Sequence, residues 1–203
     1  MDDDGTKRAA PPPQPTKAPP ASGCLFVLAA PSGGGKTSLV AALLEREPGI
    51  RLSVSYTTRA PRPGEVDGEH YYFVDDAEFD RMVQAGELLE HAVYAGHSYG
   101  TPREPVLARL AAGVPALLEI ELQGARQVHA RLPEAHLVFL APPSFDELAR
   151  RLTGRGTEDP ERVRRRLDIA RIEMAAEDEF ESVIVNDDLE RAADALVALL
   201  KIP

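Results

Sequence analysis

Residues 24–47 read CLFVLAAPSGGGKTSLVAALLERE, and the order of residue types in this stretch decides the fold. CLFVLA is a short unbroken apolar run, the pattern of a strand buried on both faces. TSLVAALLERE carries helical periodicity. Between them stand a proline, Ser32, the glycines Gly33, Gly34 and Gly35, then Lys36, Thr37 and Ser38. Glycine lets backbone N–H groups turn inward with no Cβ in the way. A strand, such a loop and a helix N-terminus together make a nest for phosphate oxygens. In that nest Lys36 reaches the terminal phosphates and the Thr37 hydroxyl holds Mg²⁺. The spacing is that of G-x-x-x-x-G-K-[ST], with Ala30 in place of the first glycine. Alanine follows the same turn as long as its φ stays negative. The stretch predicts a site for the phosphates of a nucleoside triphosphate.

Further apolar runs lie downstream: PALLEIEL at 115–122, HLVFLA at 136–141 and SVIVN at 182–186. Helical stretches separate them. One starts SFDE, a capping box of Ser144 and Glu147, and another starts DPER, with Asp159 as N-cap and Pro160 at the first helical position. Strands alternating with helices predict an α/β fold with a parallel sheet between helical layers. Two regions break the alternation. Residues 51–101 hold short strand-like pieces around one helix that starts DDAE and stops near Gly86, and residues 144–174 are helical and dense in arginine. Both are expected to rise from the edge of the sheet as subdomains. Residues 1–22 hold six prolines and no aromatic side chain, a composition that cannot pack and is expected to form a disordered tail.

Composition narrows the function classes. The chain has 203 residues and a net charge of −10, with 43% hydrophobic and 28% charged residues, as in an ordinary soluble domain. The acidity argues against a nucleic-acid partner, which calls for a basic face. No run of about 18 apolar residues is present, so no membrane span is expected. The lone Cys24 cannot form an internal disulfide, and neither a secretory signal nor a transit peptide is evident, which fits a cytoplasmic location. The five histidines show no metal-ligand spacing.

The other dense stretch is SVSYTTRAPRPGEVDGEHYYF at 53–73. Arg59 and Arg62 offer planar forks of donors suited to phosphate, and the intervening proline stiffens their loop. Tyr71 adds a phenolic donor. GELLEHAVYAGHSYGTP, at 86–102, adds Glu90, Tyr99 and Thr101. One region thus offers cations and hydroxyls for a phosphate, with a carboxylate and a hydroxyl for a polar base.

With these motifs the chain resembles the guanylate kinase family. PSGGGKTS, the two stretches just quoted, ALLEIELQGA, VFLAPPS, RLTGRGTE and VIVNDDL occur in family order between Gly23 and Leu200. The resemblance implies a phosphate-loop α/β fold of three layers around a parallel sheet, with a mixed GMP-binding subdomain and a helical lid. It implies transfer of the γ-phosphoryl group of MgATP to GMP, giving ADP and GDP, with dGMP also accepted. The parts would be a core at 23–52, 102–143 and 175–203, the GMP-binding subdomain at 53–101 and the lid at 144–174.

The resemblance also implies roles. Ser32, Gly33, Gly34, Gly35, Lys36, Thr37 and Ser38 line the ATP phosphates. Arg59, Arg62, Tyr71 and Tyr99 hold the GMP phosphate, and Ser55, Glu90, Thr101 and Glu121 surround the guanine. Carboxylates answer guanine's N1–H and N2–H₂ donors, whereas adenine would leave them unpaired, a difference that can reach roughly 10⁴-fold. Thr101 is expected to donate to O6. The family often has aspartate where Glu121 stands and serine where Thr101 stands. Arg151, Arg155 and Arg166 belong to the lid, with Arg155 and Arg166 near the adenine or the transferring group and Asn186 near the adenine. Lys36, Arg59, Arg155 and Arg166 carry the catalytic charge, and Glu119 assists Mg²⁺ through water. Tyr56, Tyr72 and Tyr94 are left as packing residues. The family includes scaffold domains that bind proteins instead of nucleotides; the presence of Lys36, Thr37, Arg59 and Arg62 argues against that reading. The triad Glu90, Thr101 and Glu121 argues against a kinase for phosphorylated sugars or for another base. The sequence does not report oligomeric state.

Overall fold

A computed structural model describes residues 23–153 and 160–200 of the chain. Strand β1 is Leu25–Ala29, and helix α1 follows at Lys36–Arg46. Strand β2 is Arg51–Leu52, and β7 (Ala116–Glu119), β8 (His136–Ala141) and β9 (Ser182–Val185) complete a sheet in the order β2-β7-β1-β8-β9. Every neighbouring pair in it is parallel. The alternation read from the sequence therefore holds.

The central strand shows why three layers form. Leu25, Val27 and Ala29 point to one face, where they meet Val106 of α3 (Arg103–Ala111) and Ala125 and Val128 of α4 (Leu122–Arg131). Phe26 and Leu28 point to the other, against Leu39, Val40 and Leu43 of α1 and Leu196 of α7 (Leu189–Leu200). Leu28 is fully buried, so truncating it to alanine costs about 2–5 kcal/mol. All the strands of this sheet run the same way, so the phosphate loop opens at their carboxyl ends, where such sheets bind ligands.

The run PALLEIEL does not stay extended to its end. The strand stops at Glu119, and Glu121 becomes the N-cap of α4, accepting from Gln123 N–H at 2.7 Å and Gly124 N–H at 2.5 Å. A carboxylate that satisfies free helical amides ends the strand despite the apolar residues around it.

Residues 53–101 build a second, four-stranded sheet in the order β4-β3-β6-β5, from β3 (Tyr56–Thr57), β4 (Tyr72–Phe73), β5 (Leu88–Tyr94) and β6 (His97–Pro102). It is mixed: β3 and β4 are parallel, and β6 is antiparallel to β3 and β5. Helix α2, Asp76–Gln84, is capped by Asp75, whose side chain accepts from Glu78 N–H at 2.8 Å. Phe79, Met82 and Leu88 form a small core of their own. Helices α5 (Phe145–Thr153) and α6 (Pro160–Ala175) share another around Leu148, Leu152 and Ala170.

Ser144 caps α5 as expected, accepting from Glu147 N–H at 3.1 Å. The reciprocal half of the capping box is not made, because the Glu147 carboxylate turns to Arg150 and Arg151 instead. Pro160 does open α6, while Asp159 lies outside the described residues, as does the proline-rich segment 1–22. Among the described residues no helix is long and apolar enough to cross a membrane.

Candidate active site

The phosphate loop is shaped by two glycines with positive φ, Gly33 at 83° and Gly35 at 92°. Gly35 is also the N-cap of α1, with no side chain over the first amides of the helix. A Cβ on Gly35 would run into the Asn186 amide, whose Nδ2 donates to the Gly34 carbonyl at 2.8 Å. Asn186 thus braces the loop from the position just after β9, and its own backbone carbonyl accepts from Arg151 at 3.1 Å. Ala30 is buried, and among the described residues Ala95 is the one non-glycine residue with positive φ, so alanine fits the first loop position without strain.

Lys36 lies across the mouth of the loop, donating to the Ala30 carbonyl at 2.9 Å. Burial lowers its pKa, and the charges of Glu119, Glu173 and Glu121 pull the other way. The Thr37 hydroxyl donates to Glu119 at 3.0 Å. One hydroxyl and one carboxylate are the hard oxygen donors suited to Mg²⁺, which binds through few protein groups and takes the rest from water and phosphate. Among the described residues no cluster of three histidines, cysteines or carboxylates offers a separate metal cage. The donor set therefore fits a Mg²⁺ that arrives with the nucleotide.

In the second sheet Arg59 is the centre of an arginine-tyrosine cluster. Its guanidinium lies 5.4 Å from the Tyr71 ring centroid and 5.9 Å from that of Phe73, and Tyr71 meets Tyr99 edge-on at 5.9 Å. Both outer nitrogens bond Glu65, at 3.0 and 2.9 Å, and Arg62 N–H donates to the same carboxylate at 2.7 Å. The Arg59 bond holds the Glu65 carboxyl down at about 2, and the Arg62 amide adds to the effect. Sequence reasoning missed Glu65; its signal was a carboxylate three residues after Arg62 across a Pro-Gly turn. The Arg62 side chain is exposed. Ser55 is half-buried and fixes β4 through its carbonyl, which accepts from Tyr72 N–H at 2.9 Å.

Glu90 and Thr101 are buried side by side on β5 and β6, with the Thr101 hydroxyl donating to Glu90 Oε1 at 2.5 Å. The Thr101 hydroxyl is thus engaged by Glu90 within the protein. Burial raises the Glu90 pKa to about 7, the Thr101 bond opposes that rise, and the Glu121 charge adds to it. Glu121 lies next to this pair, but its oxygens are engaged by the first amides of α4. Gly124 touches both carboxylates: its N–H bonds Glu121, and a Cβ there would collide with Glu90.

Two of the three arginines assigned to the helical segment lie in the described residues. Arg166 Nη2 lies 3.5 Å from Ser32 Oγ, whereas Arg151 bonds Glu147 and the Asn186 carbonyl. Arg155 lies outside the described residues. Two contacts escaped the sequence reading. The buried Glu173 of α6 accepts the Ser32 N–H at 3.0 Å, and the Tyr94 hydroxyl donates to Ser32 Oγ at 2.9 Å.

Known proteins match along nearly the whole folded part. The family model described as guanylate kinase matches residues 22–202. A guanylate kinase of Frankia casuarinae is 67% identical over 87% of this chain and 96% of its own length. That of Thermobifida fusca is 63% identical over 88% of this chain and 91% of its own. The crystal structure of guanylate kinase from Anaplasma phagocytophilum is 37% identical, with a TM-score of 0.73 over 90% of this chain and 86% of its own.

Proposed function

The chain belongs to the guanylate kinase family and is an ATP:GMP phosphotransferase, and we propose that it joins MgATP and GMP through the loop at 30–38 and the Arg59 site, accepting dGMP as well. The observation that carries this reading is the presence of two polar clusters of different build on one chain. One is a glycine loop with Lys36, and the other an arginine-tyrosine cluster beside a buried carboxylate.

Phosphoryl transfer asks mainly for positioning and charge neutralisation. A phosphate oxygen of GMP attacks the γ-phosphorus in line, the bond to the β-phosphate oxygen breaks, and ADP leaves. Lys36 and the amides of Gly33 to Ser38 hold the donor phosphates. Arg59, Arg62, Tyr71 and Tyr99 hold the acceptor phosphate. Thr37 would hold Mg²⁺, with Glu119 acting on it through water, and the ion would offset phosphate charge. Arg155 and Arg166 supply positive charge to offset the negative charge that spreads over the transferring oxygens. Glu90 and Glu121 read the guanine donors, with Ser55 and Thr101 beside the base, and Asn186 supports the adenine side through the loop it braces. Residues 53–101 and 144–174 move inward when both nucleotides are present, which keeps water from the γ-phosphate.

The lone Cys24, which has no internal disulfide partner, supports a reducing, cytoplasmic setting, and the acidic chain gives no support to a nucleic-acid partner. The reading is tested by chromatography of the products. It predicts ADP and GDP in equal amounts from MgATP and GMP, and ADP without GDP would overturn it.

A further inference from the structure

We propose that Tyr94 is a positioning residue for transfer, fixing the acceptor sheet to the phosphate loop through Ser32. This rests on the function proposed above. Three segments converge on Ser32. Its hydroxyl accepts from Tyr94 of β5 at 2.9 Å, its amide donates to Glu173 of α6 at 3.0 Å, and Arg166 of the same helix lies 3.5 Å from the hydroxyl. The acceptor sheet and the lid helix therefore meet the donor loop at one serine, immediately before Gly33.

The backbone around Tyr94 is built to hold this contact. Tyr94 pairs with His97 across a two-residue turn, Ala95 and Gly96, whose φ values of 51° and 82° are both positive. Such a hairpin turn matches the twist of its strands and leaves the residue before it little freedom. Here it includes an alanine where glycine or asparagine is the unstrained choice. Among the described residues, the Tyr94 ring belongs to none of the four buried apolar clusters, so packing alone gives the side chain no evident purpose. Its hydroxyl instead spans from the sheet that carries Glu90 and Tyr99 to the loop that carries Lys36.

The joint acts on the alignment of the two sites. A misplacement of about 1 Å between reacting groups can cost roughly 10²-fold in rate. A single neutral hydrogen bond that resists it accounts for a smaller part, about 3- to 10-fold.

The experiment uses the full chain with MgATP and GMP each varied up to saturation. Tyr94→Phe, which removes only the hydroxyl, is expected to lower kcat about 3- to 10-fold while both KM values stay within about twofold. The share of ATP hydrolysed without GDP formation is expected to rise. Ser32→Ala should lower kcat similarly, Ser32→Thr should restore most of it, and the double variant Tyr94→Phe/Ser32→Ala should be no slower than the worse single one. Parental kcat in Tyr94→Phe, a loss confined to KM, or independent multiplication of the two effects would overturn the joint. If the unaltered chain makes no GDP, the functional reading fails and the joint with it; if it makes GDP and the variants match it, the joint alone fails.

Discussion

Thr101 donates its hydroxyl hydrogen to Glu90 at 2.5 Å in a place where both side chains are buried. Burial holds the Glu90 carboxyl near pKa 7, far above an exposed glutamate, so near neutral pH the fold still retains much of its proton. Guanine donors need the carboxylate. KM for GMP should therefore fall as pH rises through about 7, and Glu90→Gln should lose that dependence. The ionisation of the GMP phosphate itself is common to both proteins and cancels in the comparison. For stability the sign is reversed. The folded state binds more protons than the unfolded one between the ordinary glutamate value and about 7, so the stability contributed by neutral Glu90 is complete below that window and lost as pH rises through it. Denaturant melts of the parent and of Glu90→Gln across that range check this; parallel pH profiles would contradict it.

Gly124 is predicted to control guanine binding without touching ATP. A Cβ at this position meets the Glu90 carboxylate, and the Gly124 amide anchors Glu121. Gly124→Ala should raise KM for GMP by about tenfold or more and leave KM for ATP near the parental value. Steady-state kinetics with each nucleotide varied in turn decide it, and equal effects on both would point to a general loss of structure.

Glu65 is predicted to aim Arg59. Its carboxylate takes both outer nitrogens of the guanidinium and the Arg62 amide, which fixes the fork against Tyr71 and Phe73. Glu65→Ala should weaken GMP binding several-fold, and Arg59→Lys should do worse, because an ammonium cannot replace the fork. Isothermal titration with GMP measures both, and unchanged affinity in either would contradict the assignment.

How far the sequence could be read follows from which forces are local. β1, the glycine loop and α1 were legible because buried periodicity and backbone freedom act over a few residues, as at Phe26, Leu28, Gly33 and Gly35. The end of β7 was not, because Ile120 to Leu122 continue an apolar run that is overruled by the capping of α4 by Glu121. Glu90 and Arg59 were legible as chemistry. Their partners Thr101 and Glu65 could be named or missed, but the direction of a hydroxyl proton or the seat of a carboxylate needs the folded sheet. Tyr94 and Glu173 were illegible, since 62 and 141 residues separate them from the serine they share.

Asn186 is predicted to matter through the loop. Its Nδ2 bonds the Gly34 carbonyl at 2.8 Å in a buried setting. Asn186→Ala leaves that carbonyl without its donor, at a cost of about 1–3 kcal/mol. Chemical denaturation should show the loss, accompanied by a higher KM for ATP and an unaltered KM for GMP. Full stability in the variant would contradict the bracing role.

Closure is predicted from the separate small cores of residues 53–101 and 144–174, around Phe79 and Leu148. Small-angle scattering should report a smaller radius of gyration with GMP and a non-hydrolysable ATP analogue together than with neither. The same radius in both conditions would contradict inward movement.

The most direct test of the central claim is ADP formation from MgATP with GMP, AMP, UMP or CMP as acceptor, on the intact chain and on Lys36→Ala. The account predicts rapid turnover with GMP, little with the other three, and a loss of about 10²-fold or more in the variant. Turnover with another acceptor, or a Lys36→Ala variant as active as its parent, would contradict it.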